Sequence, residues 1–213
     1  EGYGLTEASP IVTTAAVGAQ ARPGSIGPPL PGVEVVLRDA DGSEVLVGDP
    51  GEIWVRGPNV FAGYWQDPES TARVIDADGW LHTGDLAITD DDGWLRIVDR
   101  AKDLIIVSGF NVYPAEVEDA LVEHPDVAEA AVVGVADPKS GEAVVAFVVP
   151  CEGATPTWTE LIAHLRRRLA RYKLPTRIEF VDELPHTFAG KVPRRALRTL
   201  AGRATEDATA NPA

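Results

Sequence analysis

The stretch from Asp99 to Pro114 constrains this chain more than any other. It opens charged, with Asp99, Arg100, Lys102 and Asp103 around a single alanine. From Leu104 to Val107 it turns apolar and mostly β-branched, the pattern of a short buried strand. Ser108-Gly109 breaks that run, and Pro114 stands where proline is best tolerated, at the first position of a helix. Before this stretch the chain reads as strands and turns with acidic loops. After it, strands alternate with helices that carry most of the arginines. A charged break between two differently patterned halves marks a joint between two lobes. An ordinary strand beside a charged loop would show the same local composition, so the joint needs support from elsewhere in the chain.

Composition narrows the function classes. A chain of 213 residues could be one domain or two, and with 45% hydrophobic and 24% charged residues it can bury a sizeable core. A formal net charge of -14 argues against a nucleic-acid partner for the surface as a whole. More than half of the 19 Lys and Arg residues nonetheless lie between Arg166 and Arg203. Such a basic end suits anionic small molecules such as nucleotides or coenzyme A, although Arg166-Arg167-Arg168 reads as a solvated helix face. One cysteine, Cys151, excludes an intrachain disulfide framework and fits a reducing, cytoplasmic setting. Nothing beside it would lower its pKa for nucleophilic work. No apolar run reaches the ~18 residues of a transmembrane segment, and no signal peptide is visible.

Along the chain, Val33 to Arg38 and Glu52 to Arg56 read as strands, with a turn at Asp39-Ala40-Asp41-Gly42. Asp67-Pro68 starts a helix as cap and first residue. The acidic run Asp90-Asp91-Asp92-Gly93 lacks the ligand spacing of a calcium loop and reads as a hairpin turn before the strand Trp94 to Val98. Helices are expected over 114–123, 157–171 and 194 to about 201. Strands are expected over Val127 to Val135, Ala143 to Val149 and Ile178 to Val181.

Tyr3-Gly4-Leu5-Thr6-Glu7 lies upstream of the joint and Gly190-Lys191-Val192-Pro193-Arg194 downstream. Any one of these motifs is weak alone. In this order, the chain resembles the adenylate-forming superfamily, which holds the acyl- and aryl-CoA synthetases, luciferases and peptide-synthetase adenylation domains. The resemblance covers nearly all of residues 1 to about 200. It implies a mixed α/β (α+β) fold. Residues 1–101 would close the large adenylation lobe with a β-rich subdomain, 102–202 would form a mobile C-terminal domain, and 203–213 a disordered polar tail.

The resemblance also implies roles for single residues. Tyr3 would stack on adenine, the Thr6 hydroxyl contact the α-phosphate, and the Glu7 carboxylate help hold Mg²⁺. An aromatic face, a hydroxyl donor and a hard anionic oxygen suit those three tasks. Asp85 in Trp80-Leu81-His82-Thr83-Gly84-Asp85 would accept both ribose hydroxyls, and Arg100 would contact the ribose near the phosphates. His82 matches no assigned motif position and reads as a packing residue. Lys102 would be the hinge. Lys191, a cation on a Gly-containing loop, would stabilise the charge that gathers as a carboxylate attacks Mg-ATP. Ser108, Gly109, Phe110 and Lys173 would touch CoA, with Gly109 letting backbone approach the thiol arm.

The activity so implied is that of an ATP-dependent acyl-CoA synthetase. A carboxylic, by preference fatty, acid would become acyl-AMP and then pass to CoA, with ATP, Mg²⁺ and CoA as cofactors and co-substrates. Two alternatives remain open: an acyl-AMP ligase that loads a carrier protein, and a non-catalytic remnant. A lysine acetyltransferase acting on Lys191 is a further partner the resemblance suggests, since acetylation would remove the charge. The first residues lie inside a motif, so a longer protein is expected, and these 213 residues alone are expected to be inactive.

Overall fold

In the computed structural model the elements gather into two units, Glu1–Lys102 and Asp103–Ala213. Residues 1–15, 22–188 and 190–210 are described, with backbone alone for 203–210.

Unit 1 is built on antiparallel strands. β1 (Gly2–Tyr3) pairs with β2 (Thr13–Thr14), while β3 (Glu34–Arg38), β4 (Gly51–Arg56), β5 (Leu81–Thr89) and β6 (Leu95–Arg100) form a meander in chain order. β4 shows why. Gly51, Ile53 and Val55 are buried while Glu52, Trp54 and Arg56 are not, the period of two that gives a strand one dry face. Ile53 and Val55 pack with Val12, Leu37, Leu81, Ala87 and Leu95 in one core. α1 (Pro68–Val74) interrupts the meander, and the Asp67 carboxylate caps it by accepting the Ser70 N–H at 2.9 Å. The acidic run folds as a hairpin turn: Asp90 accepts from the N–H groups of Asp92 and Trp94. Arg22 pairs with both Asp90 and Asp92. Among the described residues no acidic, His or Cys cluster could hold a metal by itself.

Unit 2 alternates strands and helices: β7 (Ile105–Val107), β8 (Phe110–Val112), α2 (Pro114–Val122), β9 (Val127–Asp137), β10 (Gly141–Pro150), α3 (Trp158–Leu165), β11 (Arg177–Phe180) and α4 (Arg194–Ala210). β10 is the centre. It pairs antiparallel with β9, parallel with β11, and at Gly141 with β7. Its run Ala143–Val148 is buried throughout because both faces are covered. Val144, Ala146 and Val148 pack under α2 and α3, while Val145 and Phe147 pack under α4. Mixed α and β structure is therefore present throughout the unit. No helix among the described residues is long and apolar enough to cross a membrane.

Three expectations need correction. The helix expected over 157–171 ends at Leu165, where the N–H groups of Arg168 and Leu169 both turn back to the Leu165 carbonyl. A separate 3-10 turn, Arg171–Lys173, follows, and the chain then enters β11 at Arg177. The last helix is longer than expected and continues through 203–210. Those residues are alanine-rich and meet no proline before Pro212, so nothing ends the helix where a disordered tail was expected. The part of that tail at 211–213 lies outside the described residues. Finally, Phe110–Val112 is a strand, β8, that the sequence pattern did not announce.

Candidate active site

Three residues far apart in sequence meet in unit 1. The Tyr3 hydroxyl donates to Asp85 Oδ2 at 2.7 Å, and Arg100 Nε lies 2.9 Å from Asp85 Oδ1. The sheet sets up the meeting, because Asp85 of β5 stands opposite Arg100 of β6, next to a register shift between Leu86 and Ala87. Such irregularities bend a strand and re-aim its side chains. The backbone of Asp85 is fixed as well. Its N–H donates to Thr83 Oγ1 at 3.1 Å, the Thr83 hydroxyl donates to the Ile53 carbonyl at 2.8 Å, and the Gly84 N–H donates to Glu52 at 2.8 Å. Asp85 is only 8% exposed. Each carboxylate oxygen has one partner and keeps acceptor capacity for a further donor. Burial holds the Tyr3 hydroxyl protonated far above its ordinary range, with the Thr83 hydroxyl opposing and Asp85 reinforcing. His82 lies outside this cluster: it stacks on Trp54 at 3.8 Å and reaches Asp76.

Thr6 and Glu7 open a 3-10 turn, Thr6–Ala8. Gly4 is required just before it, because a Cβ there would sit 1.8 Å from the Pro10 carbonyl oxygen. Thr6 is exposed. The Glu7 carbonyl accepts the Phe61 N–H at 2.8 Å, and Glu7 Oε1 accepts the Tyr64 hydroxyl at 2.9 Å. That hydrogen bond, then burial, pushes the Tyr64 pKa up. Glu7 Oε2 has no hydrogen-bond or ion-pair partner among the described residues. One hard anionic oxygen is compatible with Mg²⁺, which is commonly held by one or two carboxylates and keeps the rest of its shell for phosphates and water.

In unit 2 the Ser108-Gly109 break is a two-residue hairpin turn. Val107 pairs with Phe110, and both turn residues have positive φ, 52° and 85°. This is the primed turn that matches strand twist. A Cβ on Gly109 would meet nothing within 4 Å, so backbone conformation and not crowding is the structural reason for glycine. Ser108 in the same region costs about 1 kcal/mol. Its N–H donates to the Ser140 carbonyl at 2.7 Å, which holds the turn against the β9–β10 connection. Phe110, 55% exposed, stacks on Tyr172 with centroids 4.7 Å apart. Lys173 sits beside Tyr172, but its ammonium is paired with Glu116 at 2.6 Å.

Lys191 lies on a turn closed at both ends: the Thr187 N–H donates to the Lys191 carbonyl, and the Lys191 N–H donates to the Thr187 hydroxyl. Its ammonium has no partner among the described residues, and Phe188 beside it is fully exposed. Ala189 lies outside the described residues. Directly after the turn, Arg194 is locked in place. It reaches Glu118 of α2 at 2.6 Å and the Val132 carbonyl of β9 at 2.7 Å. Lys102 is exposed in a 3-10 turn, Ala101–Asp103, at the last position of unit 1. Asp103, the first residue of unit 2, holds Arg198 of α4 at 2.8 Å.

The structure thus brings Tyr3, Asp85 and Arg100 together in one cluster, and Phe110 with Lys173 around Tyr172 in another. Thr83, Tyr64, Tyr172 and Arg194 were not singled out from sequence. Thr83 and Arg194 carried a signal, since they lie inside the Trp80–Asp85 and Gly190–Arg194 motifs.

Comparison with known proteins places the chain in a family. The family model for AMP-binding enzymes matches residues 1–65, and the model for the AMP-binding enzyme C-terminal domain matches 116–191. The chain belongs to the AMP-binding, adenylate-forming enzymes and carries their C-terminal domain. Among its relatives is a long-chain-fatty-acid–CoA ligase of Yersinia pestis, 55% identical over 198 residues, covering 93% of this chain and 35% of that protein. A feruloyl-CoA synthase of an Amycolatopsis species is 46% identical, over 93% of this chain and 40% of that protein. The ATP-bound crystal structure of MatB from Rhodopseudomonas palustris matches with a TM-score of 0.88 and 42% identity, over 93% of this chain and 39% of that one. The chain therefore spans about a third of the length of the curated ligases it matches.

Proposed function

We propose that this chain is the C-terminal part of an ATP-dependent, AMP-forming acid–thiol ligase that converts a fatty acid to acyl-AMP and then to acyl-CoA. The observation that carries the reading is the convergence of Tyr3, Asp85 and Arg100, in a chain with 55% identity to a protein named long-chain-fatty-acid–CoA ligase. In this reading Asp85 accepts the ribose hydroxyls, oriented for that by Tyr3 and Arg100. Tyr3 offers its ring to adenine, and the Thr6 hydroxyl donates to the α-phosphate. Glu7 supplies one oxygen to Mg²⁺, which when bound neutralises phosphate charge as pyrophosphate departs. Lys191 brings a compact cation to the α-phosphate and the attacking carboxylate. The Ser108-Gly109 turn, Phe110 and Lys173 contact CoA in the second step, for which Lys173 would have to leave Glu116 or share it.

Lys102 acts as the hinge between the two steps, and acetylation of Lys191 by a lysine acetyltransferase would switch off the first. The lone half-buried Cys151 suits a cytoplasmic setting. The test is ATP–pyrophosphate exchange by the whole protein with carboxylic acids of graded chain length. It is followed by thioester formation with CoA or with a holo-carrier protein as acceptor. The proposal expects exchange to rise with chain length and CoA to be the acceptor. No exchange with any acid would overturn it, and transfer to the carrier alone would replace CoA by the carrier. These 213 residues by themselves are expected to give no acyl-CoA.

A further inference from the structure

Glu7 is held from the far side by a residue that lies 57 positions away in sequence. The segment 61–71 is shaped to do this. The Phe61 N–H donates to the Glu7 carbonyl at 2.8 Å, which ties the backbone of the segment to the backbone of the Thr6–Ala8 turn. The Phe61 and Tyr64 rings meet edge to face with centroids 5.0 Å apart. Gly63 has φ 134°, and a Cβ on it would collide with Thr71 of α1 at 2.7 Å. The Thr71 hydroxyl in turn accepts the Tyr64 N–H at 2.9 Å. Gln66, with φ 53°, then turns the chain toward the Asp67 cap. Two positive-φ residues, a ring contact, one backbone–backbone hydrogen bond and one from a backbone N–H to the Thr71 hydroxyl therefore aim one phenol at one carboxylate oxygen.

The consequence is chemical. A free glutamate rotates about its terminal bond and offers either oxygen. With Oε1 accepting the Tyr64 hydroxyl at 2.9 Å, rotation of the carboxylate is opposed, and Oε2, which has no partner among the described residues, is the oxygen with both acceptor sites open to a cation. Hydrogen bonds that fix a ligating carboxylate in this way typically contribute about 10- to 100-fold in metal affinity. We propose that Tyr64 is the positioning residue for the metal-binding carboxylate of Glu7, selecting Oε2 as the single protein oxygen for the Mg²⁺ that accompanies ATP. This rests on the reading of Glu7 given above. Tyr64 touches neither nucleotide nor acid in this proposal. It acts through Glu7 alone, and it is 38% exposed, so the effect belongs at the lower end of that range.

The experiment measures binding apart from turnover. Mn²⁺ binding to the whole protein is followed by electron paramagnetic resonance in the presence of a non-hydrolysable ATP analogue, for the wild type, Tyr64→Phe, Tyr64→Leu and Glu7→Gln. Phe keeps the ring against Phe61 and removes only the hydroxyl. The expected result is Mn²⁺ affinity about tenfold weaker in Tyr64→Phe. The Mg²⁺ needed for half-maximal adenylation should rise in parallel, with little change in kcat at saturating Mg²⁺. Glu7→Gln should lose more than Tyr64→Phe, and adding Tyr64→Phe to Glu7→Gln should cost nothing further. If Tyr64→Phe binds Mn²⁺ as the wild type does while Glu7→Gln is impaired, the positioning role falls and the role of Glu7 stands. If Glu7→Gln itself binds Mn²⁺ normally, the reading of Glu7 falls and this inference with it. Loss in Tyr64→Leu but not in Tyr64→Phe would assign Tyr64 to packing and also overturn the proposal.

Discussion

The two units present their charged groups in opposite ways. In unit 1, Asp85 is nearly buried and arrives already held, by Tyr3, by Arg100 and through Thr83. In unit 2, Lys191 stands exposed on a short turn with no partner for its ammonium among the described residues, while the base of that turn is clamped by Arg194. A group that must bind the same moiety throughout a reaction gains from being fixed in advance, since no ordering cost is then met on binding. A group that must arrive at one step and leave at the next gains from having no competing partner. On the proposed function, the contrast would separate a stationary nucleotide site from a delivered charge.

That contrast can be broken in three places. The largest effect belongs to Lys191→Ala, which should slow adenylation by the whole protein by about 10²- to 10³-fold. Single-turnover formation of acyl-AMP measures it, and the ATP KM should barely move. A comparable rise in KM would make Lys191 a binding residue like Asp85. Next is Asp85→Asn, which keeps the shape but weakens the charge-assisted hydrogen bonds. The KM for ATP should rise about tenfold or more, and an unchanged KM would remove Asp85 from the nucleotide site. The smallest effect on chemistry, and the one that sharpens the comparison, is Arg194→Met. It leaves the Lys191 side chain unchanged but removes the Arg194 ion pair from Glu118, which keeps the Val132 N–H at 2.7 Å, at a cost of about 2 kcal/mol. Hydrogen exchange should show faster opening at the start of α4 and at the Val132 amide, with unit 1 unaffected. Uniform exchange across α4 and β9 would show that the clamp does not anchor the turn.

Much of this arrangement was legible from residue order. The run Ala143–Val149 announced a strand, though not that both of its faces are covered, and Asp67-Pro68 announced a capped helix. The Ser108-Gly109 break announced a turn, though not that Phe110–Val112 returns as a strand only three residues long. What stayed hidden depends on distance in sequence. Lys173 meets Glu116, and Tyr64 meets Glu7, each across 57 positions. Neither pair has a spacing that local periodicity can register. The early end of α3 was also hidden, because Leu169 keeps the helical spacing of Leu161, Ile162 and Leu165 while reaching the core from a turn. The length of α4 was misjudged for the opposite reason: its polar residues look like a tail, yet alanine carries the helix on.

The measurement that bears most directly on the central claim separates the two half-reactions in the whole protein. Lys191→Ala and Gly109→Val would each be assayed for acyl-AMP formation from acid and ATP, and for acyl-CoA formation from supplied acyl-AMP and CoA. Circular dichroism would confirm that the strained turn of the second variant still folds. The account predicts opposite losses: Lys191→Ala fails at the first step and completes the second, while Gly109→Val completes the first and fails at the second. Equal losses at both steps in both variants would contradict it.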